Sequence, residues 1–413
     1  MNIRLMLLLA IAPLVPPLPA GASTLSIDQL VVMALESNPQ VRAARARWTA
    51  AQHAIVQHYA PADPILTYGS IDSPTNGINH ASEHALQAFQ SFQFPGKAYL
   101  QANIAKRSAE ISRLIYEAAV RNVRARTEVQ YYQLAIDAEL IKNVTRTILE
   151  LQRFKSRVGP NDTEYSAAIS ADLGDATERR RRCDLAFADD KTRLNELLNR
   201  SPDEPLELEA RVDLEPVPGR LNELIDRAWS QRQEILQAAL QEQNAETALT
   251  LAKLEYAPDY AVGYSFDHYL LDSDAPAPGL TQTHSFWIGF NLPLFFWMKQ
   301  NEDIKATRFD LEAAREDLNG IRNQTAGQVT ILFRHVQFDY QNAIVYRDSV
   351  VPEALSAFDQ ALAGPGNREQ QLATLSDLRN ELNLDRASYL EAVSNLVADR
   401  IALEQEIGEP LPR

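Results

Sequence analysis

A chain of 413 residues is long enough for two or three domains with ample core, and its 45% apolar content and mean hydropathy of −0.28 are those of a soluble protein. A formal charge of −15 excludes nucleic acid or an anionic lipid surface as a bulk partner. With Cys183 as the only cysteine, an intrachain disulfide is excluded too.

Arg4, an apolar run from Leu5 to Val15, a Pro-rich stretch and Ala20-Gly21-Ala22 form the pattern of a secretory leader cleaved after Ala22. Beyond it no run of 18 or more apolar residues occurs, so no transmembrane helix is expected in the mature chain. Cys183 lies outside the leader and cannot carry a lipid anchor. Its apolar stripe with Leu173, Ala176, Phe187 and Leu194 reads as a core thiol.

The mature chain repeats one order of elements. An amphipathic helix opens each half, from Ser26 to about Tyr59 and from Leu221 to about Tyr256, with Ser26 or Asp28 as the first cap. Ala60-Pro61 and Ala257-Pro258 end them, because proline cannot continue a helix. Strand-like segments follow: Ile65 to Ile71 and Leu86 to Phe94 in the first half, and Tyr260 to Asp267 and Ser285 to Leu292 in the second. In the second pair Tyr260, Val262, Tyr264 and Phe266, and Phe286, Ile288, Phe290 and Leu292, alternate with mostly small or polar residues over a length that suits a membrane strand. Phe295-Phe296-Trp297 stands where an interfacial girdle would sit.

Long helices complete each half. Leu311, Ala314, Leu318, Ile321, Thr325, Gln328 and Leu332 alternate spacings of three and four; Ile141, Val144, Ile148, Leu151 and Val158 do likewise, and Leu382, Tyr389, Leu396 and Leu403 recur every seven. That is coiled-coil spacing. A helix from about Lys97 to Val158 spans roughly 90 Å at 1.5 Å per residue, too long for a compact domain. Gly159-Pro160 and Gly364-Pro365 interrupt the two helical runs at an offset of 205, which also carries Asp172-Leu173 onto Asp377-Leu378 and Glu204-Pro205-Leu206 onto Glu409-Pro410-Leu411. A duplicated unit follows, with a leader at 1–22, a first copy at 23–206, a linker at 207–217 and a second copy at 218–413. Four strands cannot close a barrel, so the chain either stays out of the membrane or shares a barrel among copies.

This order of parts is similar to that of the TolC-type outer-membrane efflux protein family. Ser26-Ile27-Asp28-Gln29-Leu30 through Asn38-Pro39 resembles its opening helix, Tyr346 through Pro352 its second-copy helix, and Phe94-Pro95-Gly96-Lys97 the strand-to-helix junction of its heavy-metal-type members. The resemblance implies a mainly α fold with a small β part. Long coiled-coil hairpins would form a periplasmic α-barrel, and four transmembrane strands per protomer would contribute to a shared trimeric β-barrel. It also implies a homotrimer in outer-membrane lipid, docked through a periplasmic adaptor to an inner-membrane transporter. Under it Gly159, Pro160, Gly364 and Pro365 are the adaptor-docking tips, and Asp172 and Asp377 the pore constriction. The departures are an early Gly364 break after Pro352, and Gly-Pro where a Gly-hydrophobic tip is usual.

Other constellations read as surface. Arg179 to Arg182 is a salt-bridged or inter-protomer stretch, and His80, Glu83 and His84 next to a turn give no metal site. No HExxH, nucleophile elbow, phosphate loop or CxxC occurs, so no enzyme chemistry and no cofactor are expected. The function expected is a passive outer-membrane efflux duct, with metal cations as a candidate cargo. A soluble periplasmic scaffold and an exit duct for a secreted protein are the alternatives.

Overall fold

The computed structural model describes residues 25–75, 78–157, 163–207, 214–216, 218–269, 281–363 and 368–411. The leader and the breaks at Gly159-Pro160 and Gly364-Pro365 lie outside the described residues.

Each opening helix is two helices, not one. Ser26 caps α1 (Ile27–Ser37) with a reciprocal pair: Gln29 N donates to Ser26 Oγ at 3.4 Å, and Ser26 N donates to Gln29 Oε1 at 3.1 Å. Asn38 then turns the chain, because the following Pro39 disfavours helical dihedrals in the residue before it and is itself suited to a first helical position. Its side chain accepts from Gln40 N at 2.9 Å and so caps α2 (Pro39–Gln57). The second copy breaks at the same place without a proline. Arg232 separates α5 (Leu221–Gln231) from α6 (Gln233–Leu254) with φ −68°, ψ 123°, against −66°, 125° at Asn38. What holds it is a set of partners: Arg232 donates to Thr325 Oγ1 and pairs with Glu234 and Glu406.

The strands β1 (Ile65–Thr75), β2 (Ile78–Phe92), β3 (Tyr260–Tyr269) and β4 (Gln282–Phe290) form one antiparallel sheet in the order β1-β2-β3-β4. A shift of register at Ile71/Asp72 marks a bulge. Of the turn expected at Ser73-Pro74-Thr75-Asn76-Gly77, the first three residues continue β1, and Asn76 and Gly77 lie outside the described residues. His80 and His84 therefore both lie on β2, not on a helix.

The rods are α3 (Lys97–Arg157), paired with α4 (Thr163–Leu197), and α7 (Gln300–Val345), continued by α8 (Val351–Ala363) and paired with α9 (Arg368–Ile407). Between α7 and α8 the turn widens into a π-helical stretch, Tyr346–Val350, with Val351 N–H bonded to Tyr346 O. Pro352 supplies the reason, since it has no N–H for the carbonyl of Asp348. In α9, Leu382, Leu396 and Leu403 of the predicted seven-residue series are buried and Tyr389 is half-buried, and in α7 Leu311, Leu318 and Thr325 are buried. Beyond Thr325 the predicted Gln328 is exposed and Leu332 only half-buried, while Val329, Phe333 and Val336 take the core. They do so because α5 packs there with Leu224 and Ala228, and that contact widens the stripe. Leu30 and Ala34 of α1 meet Val123, Leu194 and Leu198 in the matching core of the first copy. The two copies join where Ile136 of α3 packs on Ala343 of α7 and Val393 of α9.

One charged side chain fixes rods to sheet. The Pro95-Gly96 turn needs a left-handed residue, and Gly96 at φ +104° supplies it. The turn delivers Lys97, 2% exposed, onto Glu255 at 3.0 Å and Asp259 at 2.9 Å in the second copy, while Asp259 also accepts Phe94 N. Burial works against the ammonium, but hydrogen bonds and charge from Asp259 and Glu255 outweigh it and raise the Lys97 pKa. Lys97→Met should cost about 2 kcal/mol, less than the 3–5 kcal/mol of a fully buried pair because both carboxylates can rehydrate. Thermal melting in detergent checks this as a drop of several degrees; an unchanged Tm would place the junction's strength in the turn alone.

Candidate functional site

Two regions carry the candidate function: the sheet, and the α4–α9 contact nearest the hairpin ends. On one face of the sheet stand Leu66, Tyr68, Leu86, Val262, Tyr264, Phe286, Ile288 and Phe290, in cross-strand register and mostly exposed. Thr67, Gln87, Ser265, Asp267, Ser285 and Thr283 line the other, with Phe89, Tyr269 and Trp287 as its aromatic members. Trp287 lies across Gly263, where an added Cβ would meet its indole ring at 2.1 Å, so this position of β3 must stay without a side chain. An apolar face is thus backed by a mostly polar one, and β1 and β4 are unpaired edges within the protomer.

Both hairpins contain a feature that strand periodicity missed. Tyr68 Oη hydrogen-bonds His84 Nδ1 at 2.7 Å, and Tyr264 Oη hydrogen-bonds His284 Nδ1 at 2.8 Å, each diagonally across its hairpin. The sequence signal was a Tyr and a His at the same relation to the central turn in each copy. Leu292, Leu294, Phe295, Trp297 and Met298 are exposed just after β4, so the aromatic cluster stands at the sheet's end, as expected of a girdle.

Lower on the rods, Arg379 of α9 is almost enclosed, its side chain 4% exposed. It donates through Nη2 to Asp172 Oδ2 of α4 at 2.6 Å, and Ser376 Oγ donates to the same oxygen at 3.1 Å. Asp172 is thus charge-paired inside the protomer, and the pair ties the first hairpin to the second. Asp377 lies beside it on an exposed face of α9, and both line a cavity of about 180 Å³. Gly159, Pro160, Gly364 and Pro365 are outside the described residues. In the arginine run, Arg180 pairs with Asp184 at 3.0 Å and donates to Thr145 at 2.6 Å, and Arg182 pairs with Glu178. Cys183 is half-buried at a second cavity rather than in the core, its thiol pKa raised by burial and by Asp137 and Asp184.

Each hairpin also encloses facing aspartates. Asp137 of α3 faces Asp190 of α4, both buried, and Asp339 of α7 faces Asp399 of α9. Gln133 Nε2 donates to Asp137 Oδ1 at 3.2 Å, Arg193 pairs with Asp190 at 2.7 Å, and His335 with Asp399 at 3.3 Å. Burial first and Asp190 next push Asp137 up to about 6; burial and Asp399 likewise raise Asp339. Among the described residues no group of three or more His, Cys, Asp or Glu could hold a metal ion, and no helix is long and apolar enough to cross a membrane.

A four-stranded sheet with one exposed apolar face, carried on long paired helical rods, defines the fold. Residues 224–409 match the family model described as outer membrane efflux protein. The chain's fold is shared with the outer membrane protein VceC of Vibrio cholerae (TM-score 0.76, 15% identity, 94% of this chain and 97% of that one). It is shared equally with the CmeC outer membrane channel of Campylobacter jejuni (0.76, 15%, 93% and 86%) and the open state of the MtrE outer membrane channel of Neisseria gonorrhoeae (0.76, 15%, 94% and 90%). No protein of curated function matches the chain significantly in sequence.

Proposed function

We propose that the chain is the outer-membrane exit channel of a tripartite efflux system, a passive conduit without a catalytic step, gated near its periplasmic helical ends. One observation carries this reading: the sheet has a lipid-compatible face, a polar face and two unpaired edges, so it must be completed by further copies. Three copies supply twelve strands, and the rods continue the ring as a periplasmic tunnel. Residues 1–22 act as the cleaved leader, and no lipid is attached. Gly159, Pro160, Gly364 and Pro365 meet a periplasmic adaptor that links the duct to an inner-membrane transporter. Exposed Asp377 forms, by threefold repetition, a ring of like charges that draws cations, and Asp172 with Arg379 latches the hairpins behind it. Cations, including metal ions, are the cargo class that suits such a ring.

Purified protein in a planar bilayer should give discrete ohmic channels, and a multivalent cation added on the tip side should block them. Asp377→Ala should abolish the block with the conductance steps retained. Complete recovery of the protein in a periplasmic wash, with no channel activity, would sink the proposal.

A further inference from the structure

Between α3, α4 and α9 lies a cavity of about 260 Å³ that borders the Asp172–Arg379 latch and whose other lining groups the conduit does not use. Its floor is apolar, made by Leu140, Val144 and Leu151 of α3 and Ala176 of α4. Its α9 wall is cationic. Arg379 and Arg386 are two helical turns apart on one face, with Asn383 between them. Arg379 spends Nη2 on Asp172, and its Nε is buried without a partner. Such an orphaned donor on a charged group costs stability unless something accepts from it. Among the described residues no carboxylate is in salt-bridge contact with Arg386; burial, then the nearby Arg146, lower its pKa, although Glu150 and Asp359 oppose this. Asn383 accepts at Oδ1 from Thr147 at 3.0 Å, which leaves its amide nitrogen to donate. At the rim the exposed Asp175 and Arg179 offset each other, and Asp172 is already paired.

We propose that this cavity binds a small amphipathic carboxylate, its apolar body on the α3 floor and its acid group accepting from Arg379 Nε, Arg386 and Asn383. The acid group would satisfy the orphaned donor and relieve the repulsion on Arg386, while the body would pack on the apolar floor. A bound acid would bridge both hairpins. This reading stands apart from conduction, since binding can be read without a channel.

Benzoate serves as the probe, titrated calorimetrically into the full-length detergent-purified protein. One site per chain is expected, with benzamide, the same shape without the charge, weaker by about tenfold, as the loss of one charge-assisted hydrogen bond predicts. Arg386→Gln should weaken benzoate by a similar factor and leave benzamide unmoved, and Arg386→Lys should recover part of the loss. Cys183, the only thiol in the chain, lines the same cavity, so benzoate should also slow its alkylation. Absence of binding at millimolar benzoate, equal affinity for benzamide, or binding indifferent to both Arg386 variants would each overturn the proposal.

Discussion

Asp172→Asn should raise the open fraction of the channel by about thirtyfold, the worth of about 2 kcal/mol in a two-state equilibrium. The pair between Asp172 and Arg379 joins α4 to α9, and it must break if the two hairpins part. The two partners are unequal. Arg379 is 4% exposed whereas the Asp172 side chain is 33% exposed, so removing the carboxylate strands a buried cation, while removing the cation leaves an anion that water can reach. Arg379→Met should therefore open the channel less, by about tenfold or below. In the double variant no charge is stranded, and its open fraction should fall below that of Asp172→Asn. Single-channel recording of the three variants, with thermal melting beside it, distinguishes a latch from plain packing. If Tm falls with no change in open probability, the pair is structural and the gate lies elsewhere.

How far the chain was legible depends on what each signal measures. Period two in Tyr260 to Phe266 and period seven in Leu382 to Leu403 report which side of an element is covered, and both were read correctly. The offset of 205 was a subtler case. It holds for Leu206 and Leu411, which close the two equivalent cores, but inside α4 and α9 the packing repeats at 209: Leu194 with Leu403, Leu198 with Ile407, and Asp190 with Asp399. The difference of four residues is about one helical turn, which leaves every side chain on the same face and so hides from a pattern search. The helix ends repeat at 209 as well, with Asn199 at φ 54° and Gly408 at φ 92°. The shorter loop after Gly408 restores 205. Gly408 has a further constraint of its own, since a Cβ there would lie 2.9 Å from the Gln231 backbone.

Other features had no signature in the sequence. The break at Arg232 is invisible because it depends on Thr325, Glu234 and Glu406, two of which lie far along the chain. Pro39 announced the equivalent break in the first copy, yet a helical stripe running through it masked the message. Arg379 was missed for a related reason. In an exposed-looking stretch of α9 nothing marks an arginine as enclosed, and only the approach of α4 makes it the partner of Asp172. Asp172 and Asp377 were read as one kind of site because they share an offset, but the fold pairs the first and exposes the second.

Stability should fall as pH rises from about 4 to about 6, opposite to the usual behaviour of paired carboxylates. An aspartate in the unfolded chain loses its proton near 3.8, whereas Asp137 in the fold holds its proton to about 6. Between those values the unfolded chain binds fewer protons than the folded one, so each step up in pH favours unfolding. A tenfold change in proton affinity is worth about 1.4 kcal/mol, so Asp137 together with Asp190 contributes at most about 3 kcal/mol, lost above about pH 6. The groups facing it do not cancel this. Gln133 on α3 donates to it and lowers its pKa, but burial and Asp190 of α4 prevail, and Arg193 serves Asp190 rather than Asp137. In the second hairpin His335 favours the ionised form of Asp339, burial and Asp399 outweigh it, and the pKa moves in the same direction. Both hairpins should accordingly be tighter at about pH 5 than at about pH 7.5. Asp137→Asn, which copies the protonated acid, should raise Tm at the higher pH and shrink the difference between the two pH values. A variant that melts lower there than the parent would show that Asp137 is ionised and stabilising in the fold. That result would require a cationic neighbour from another copy, and so would place this face of α3 and α4 in a contact between protomers.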